Sequence, residues 1–128
     1  MRRGASLLLL TVLAACGQRA QPIVLQPQGP PPGTDGRYRG TARLVRAAGA
    51  TCPRSGARVL EVQGGSITLS YQAGPRNRQP LTAEVGGDGR IQASDGVGMM
   101  EGTLADGRLE VTIGSALCEN RWTLTRVN

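Results

Sequence analysis

The sequence predicts an all-β domain, a small antiparallel up-and-down barrel of about eight short strands, with a small β-sandwich as the alternative. Three observations lead there. From residue 35 onward, apolar and polar residues alternate with period two. Turn signals built on Gly-Gly and Asp-Gly recur between the alternating runs at near-regular spacing. With 19 Gly and 8 Pro in 128 residues, the composition favours turns over long helices.

The first strand follows Asp35, with Tyr38, Gly40, Ala42 and Leu44 on one face and Arg37, Arg39, Thr41 and Arg43 on the other. Arg58 to Gln63 forms the second, with Leu60 and Val62 inward, and Gly64-Gly65 is a hairpin turn. Ile67, Leu69 and Tyr71 alternate in the third strand. Ala73 to Pro80 reads as a loop around Gly74-Pro75, before Leu81, Ala83 and Val85 form the inner face of the fourth strand. Gly86 to Gly89 turns into a fifth strand, Arg90 to Ala93. A Gly-rich link, Asp95 to Gly98, leads to a sixth strand carrying Met100, Gly102 and Leu104, with Met99 on the opposite face from Met100. After Asp106-Gly107 the seventh strand turns Leu109, Val111 and Ile113 inward. The last runs from about Cys118 to Val127, with Trp122 and Leu124 inward.

Asp-Gly-Arg followed by an apolar residue occurs at Asp35, Asp88 and Asp106. The Asp-Gly pair suits a tight turn with positive φ, so the repeat is turn chemistry, not a ligand motif. Closing the meander sets the Tyr38 strand beside the Trp122 strand and removes exposed edges. The aromatics are Tyr38, Tyr71 and Trp122 alone, with no Phe, so the core must be built from Val, Leu, Ile, Ala and Met.

Several chemistries are excluded. There is no His, the usual neutral-pH base and commonest metal ligand. Every basic residue is Arg, so Schiff-base and P-loop lysine chemistry is absent. No Ser or Thr has an activating base, and the carboxylates fall in turns or on the polar phase of strands. We expect no catalytic, cofactor or metal site. Arg37, Arg39 and Arg43 share a strand face, and Arg76 and Arg78 crowd one segment. Arginine grips phosphate and carboxylate through bidentate hydrogen bonds, so these five are the candidate surface for an anionic partner. No aromatic platform accompanies them, which disfavours nucleic acid.

Residues 1–15 have the form of a targeting segment. Arg2 and Arg3 precede a short apolar run, Ala5 to Leu13, too short to span a hydrocarbon core of ~30 Å. Leu13-Ala14-Ala15-Cys16 resembles the bacterial lipobox read by lipoprotein signal peptidase. The resemblance implies cleavage before Cys16 and acylation of that cysteine, which anchors a protein without a transmembrane helix. Gly17, rather than Asp, follows, which leans toward the outer membrane in a Gram-negative cell. A simple secretory signal with an incidental cysteine is the alternative. Removing Arg2 and Arg3 leaves 13 Arg against 9 acids, a mature net charge of about +4.

Lipidation of Cys16 leaves Cys52 and Cys118, which should pair in an oxidising envelope. Two free thiols or a metal pair are the competing reading, without CxxC spacing or His in support. Residues 16–34 hold Pro22, Pro27 and Pro30 to Pro32 and read as a spacer reaching on the order of 50 Å. Ile23-Val24-Leu25 is its one apolar run. Residues 35–128 form the β domain.

The domain resembles the eight-stranded barrels of the lipocalin and streptavidin group. Gly36-Arg37-Tyr38 is similar to the Gly-x-Trp opening of lipocalins, with Tyr in place of Trp, and no ligand site is carried over. The expected function is a non-enzymatic, lipid-anchored envelope module that meets a protein or an anionic envelope component. Size, export and disulfide are also similar to Inh-type protease inhibitors, although these have an early Trp and a short disulfide loop. In that reading Gln18 to Thr34 or Ala73 to Pro80 would enter an active site. A small-ligand carrier is the third reading, and it needs a cavity.

Overall fold

Period-two alternation produces eight antiparallel strands in the computed structural model, which describes residues 29–31, 33–49 and 51–128. They are β1 (Gly36–Ala47), β2 (Gly56–Val62), β3 (Ser66–Gly74), β4 (Asn77–Glu84), β5 (Arg90–Ser94), β6 (Met99–Ala105), β7 (Arg108–Gly114) and β8 (Cys118–Val127). The leader, the Leu13 to Cys16 motif and Ile23 to Leu25 lie outside the described residues.

Six strands form one sheet in the order β2-β1-β8-β7-β6-β5, and β3-β4 form a second. The first and last strands pair as expected, with Tyr38 opposite Arg126 and Ala42 opposite Trp122. The closed barrel is not formed. Neighbours still follow meander order, but the ladder opens at two seams, where among the described residues the strand pairing shrinks to the single bridges Gln63↔Ser66 and Val85↔Ile91. At one seam Pro80 lies in β4, and a residue without N–H marks an edge strand. Along the other, Arg58, Trp122 and Pro53 line the gap beside Ser70, Tyr71 and Gln72 of β3.

One boundary differs from expectation. Ala73 to Pro80 is not a loop: β3 runs to Gly74 and β4 starts at Asn77, leaving a two-residue turn at Pro75-Arg76. Cross-strand pairing of Gln72 with Arg78 and Ser70 with Pro80 extends the hairpin through residues that carry no apolar alternation.

The core lies between the two sheets. Tyr38, Ile67, Met100, Leu109 and Leu124 are fully enclosed, and Val62, Leu69, Tyr71, Leu81, Ala83, Val85, Ile91, Leu104, Val111 and Ile113 join them. Trp122 packs against this cluster only in part. The Arg58 guanidinium covers its ring at 5.8 Å from the centroid, a cation–π contact at the open seam. Met99 is exposed and Met100 buried, on opposite faces as expected.

Because strands alternate in direction, all turns fall at two ends. The β2–β3, β4–β5 and β6–β7 turns share one end with the chain entry at residues 29–35 and with Asn128. That entry is pinned. Pro30 lies against Gly65, the Asp35 carboxylate accepts 2.8 Å bonds from the Gly64 and Gly65 amides, and Arg126 donates to the Gly33 carbonyl. Gly64 and Gly65 both need positive φ, at 59° and 70°, which glycine adopts without strain. Asp106-Gly107 makes the corresponding turn, at φ 53° and 74°.

Tyr38 closes this end from inside, its hydroxyl donating to the Thr34 carbonyl at 2.8 Å. Burial raises its pKa, the Arg126 charge lowers it and the Asp35 charge raises it, with a net upward shift. A phenol whose folded pKa exceeds its unfolded value of about 10 stabilises the fold fully below that pH and loses this contribution as pH rises above it. Tyr38→Phe is therefore expected to cost about 1–2 kcal/mol at pH 7, by stranding the Thr34 carbonyl, and to flatten the alkaline loss of stability. Urea midpoints measured from pH 7 to 11 check both effects.

Candidate functional site

The other end gathers the β1–β2, β3–β4, β5–β6 and β7–β8 connections. The Cys52–Cys118 disulfide ties the first to the last. Such a bond is consistent with an extracytoplasmic protein. Arg46 donates to the Ser115 and Ala116 carbonyls at 2.6 and 2.8 Å, and Asn120 to the Pro53 carbonyl at 3.2 Å. The Ser115 hydroxyl donates to the Gln72 carbonyl at 2.5 Å, joining the β7–β8 turn to β3. Tyr71 donates to Asp95, joining β3 to the β5–β6 connection. Three of these connections, β1–β2, β5–β6 and β7–β8, are thereby braced through the disulfide and β3.

Asp95 works twice. One oxygen receives Tyr71, and the other accepts the Val97 and Gly98 amides at 2.9 and 2.7 Å. The Tyr71 hydrogen bond, then the two amides, hold its carboxyl below the usual range. A depressed carboxylate stabilises the fold above its unfolded pKa of about 3.9 and loses that contribution as pH falls below it. Tyr71→Phe should therefore flatten the acid limb of stability between pH 6 and 2, measured by thermal unfolding. Gly98 sits directly against the Tyr71 ring, where any Cβ would collide with it.

The five candidate arginines separate into two groups. Arg37, Arg39 and Arg43 are exposed on the outer face of β1, in the six-stranded sheet. Arg76 and Arg78 lie on the β3–β4 hairpin, in the other sheet, Arg76 at the turn and Arg78 beside Gln72 at 3.3 Å. Sequence reading missed a fourth member of the β1 group. Arg121 of β8 stands directly opposite Arg43. The inward phase of Trp122 and Leu124 shows that Arg121 points out, but only the β1–β8 register reveals its neighbour. Arg37 spends part of its charge on Glu61 at 3.5 Å, an exposed pair worth little.

Carboxylates at Asp35, Asp88 and Asp95 are occupied by turn amides. Among the described residues no three His, Cys, Asp or Glu side chains gather into a possible metal set. Side chains fill the interior, and the cavity at the Trp122 seam is about 30 Å³, room for about one water. Cys16 lies outside the described residues. Comparison with protein-family models, with curated proteins and with solved structures finds no match to this chain.

Proposed function

We propose that the protein is a lipid-anchored, non-enzymatic interaction module of the bacterial cell envelope, held by acylated Cys16, whose task is binding. The observation that carries this reading is the polarity of the domain. The chain enters at one end, while the opposite end bears the braced connections and the excess of positive charge.

Toward the entry end lie Arg37, Arg39, Arg90, Arg108 and Arg126, against Asp35, Glu61, Glu84, Asp88, Asp106 and Glu110. Toward the far end lie Arg43, Arg46, Arg54, Arg58, Arg76, Arg78 and Arg121, against Asp95, Glu101 and Glu119. Among the described residues, three of the four exposed large apolar side chains, Val45, Val97 and Met99, are also at the far end. A rigid end with apolar centres and arginines suits an acidic partner, since bracing reduces the entropy lost on binding. A tether at the entry end leaves that surface facing away from the acyl chains.

The anchor has its own test. Intact-mass measurement of the protein from native envelopes should find residues 1–15 removed and a lipid adduct on Cys16. Cys16→Ser should abolish the adduct. A mature chain beginning elsewhere, or an unmodified Cys16, overturns the anchored reading.

A further inference from the structure

We infer that the outer face of β1 and β8 holds an oxyanion site, formed by Arg43 and Arg121 with Thr41 and Thr123, that takes a phosphate monoester. This deepens the interaction-module reading by giving the chemistry recognised on one face. It does not depend on the anchor.

The register supplies the argument. Arg43 and Arg121 are directly opposed across the β1–β8 ladder, and Thr41 and Thr123 form the next outward-facing pair. Opposed like charges destabilise a sheet, so this pair is poorly accounted for by folding. Among the described residues neither arginine forms a salt bridge. Nearby carboxylates are otherwise engaged or farther off. Glu110, opposite Thr123, holds Arg108 at 2.7 Å. Glu119 is paired with Arg46 at 3.6 Å. On the row of Arg121, Thr112 of β7 intervenes before Glu101 of β6.

The backbone shapes a groove around the pair. The β1–β8 register shifts between Leu44 and Arg46, a bulge that leaves Val45 exposed. Thr41, Arg43, Leu44, Val45, Arg121 and Thr123 line the resulting depression. It offers two planar guanidinium forks, two hydroxyls and an apolar lip. Guanidinium forks match phosphate oxygens in bidentate geometry, and the second positive charge favours a dianion over a monoanion. Binding also relieves the repulsion between the arginines, so ligand and sheet stability should be linked.

The site is tested with the mature protein as purified from native envelopes, in non-ionic detergent at constant ionic strength. Inorganic phosphate, dihexanoyl phosphatidic acid and chloride are titrated while backbone and Arg Nε resonances are followed by NMR. Phosphate should bind saturably, with a dissociation constant on the order of 1 mM, shifting residues 41–45 and 121–123. Chloride should not saturate. Arg43→Gln and Arg121→Gln should each weaken phosphate about tenfold. Arg39→Gln, on the same face but opposite Thr125, should change it less than twofold. Thermal unfolding verifies that each variant folds, and removing one of the opposed charges should not lower the midpoint. Tighter binding of dihexanoyl phosphatidic acid, with added shifts at Val45, supports the site with a lipid headgroup as its source. Equal affinities support it with free phosphate groups. A non-saturating response, or equal losses from Arg39→Gln and Arg43→Gln, overturns the proposal in favour of diffuse surface charge. Either result leaves the Cys16 mass test unaffected.

Discussion

Removing the Cys52–Cys118 bond, by reduction or by Cys52→Ala with Cys118→Ala, is expected to lower the unfolding free energy by about 4 kcal/mol. The bond joins residues separated by 66 positions. In the chain-entropy account, closing a loop of that size removes about 4 kcal/mol of freedom from the unfolded state. Small domains have total stabilities of about 5–15 kcal/mol, and this core holds no Phe and only one Trp. The bond also joins two of the three braced connections. Loss should therefore appear first at the far end, as faster amide exchange around residues 51–54 and 115–118, with the β6–β7 ladder still protected. Guanidinium unfolding with and without reductant measures the free energy. A loss under 1 kcal/mol would mean that the ladders and the Arg46 and Asn120 bonds hold this end unaided.

Leu124→Ala is the second large effect, at about 3 kcal/mol. Leu124 is 0% exposed and stands on the inner face between Gly40 of β1 and Leu109 of β7, with Leu104 of β6 beyond. Gly40 is small for a reason that Leu124 does not supply. A Cβ there would run into the Thr123 carbonyl, a backbone atom that cannot swing aside. Gly40→Ala should itself cost about 2–3 kcal/mol. The double variant should show no rescue, because shrinking Leu124 does not move the Thr123 carbonyl. Recovery of more than 1 kcal/mol in the pair would place the conflict in the side chains instead. Urea unfolding of the three proteins decides between these outcomes.

The strands were largely legible because period-two alternation is a direct record of which face is buried. Tyr38 and Ala42, Ile67 and Leu69, and Leu109, Val111 and Ile113 all lie inward as their phase requires. The 73–80 hairpin was not legible. Its residues 74–80 are polar, Gly or Pro, and their pairing comes from the strands below, not from their own pattern. Barrel closure was overestimated for a related reason. Alternation reports burial of a face but not pairing of an edge, so the seams at Gln63↔Ser66 and Val85↔Ile91 leave no trace in it. The disulfide was legible by cysteine arithmetic, and the structure contains it. The arginine face was half legible. Strand phase identifies Arg37, Arg39 and Arg43, but Arg121 joins them through a long-range register that single-sequence periodicity does not encode.

The central claim is that the two ends of the domain differ in task, one tethered and one docking. Photo-crosslinkers placed singly at Val97 and Ala116, at the far end, and at Gln63 and Asn128, at the entry end, test it in native envelopes. All four positions can be compared in the wild-type and Cys16→Ser backgrounds. The account predicts one stoichiometric adduct from Val97 and Ala116 that is lost in Cys16→Ser, and none from Gln63 or Asn128. The same adduct from both ends, or an adduct indifferent to Cys16→Ser, would contradict it.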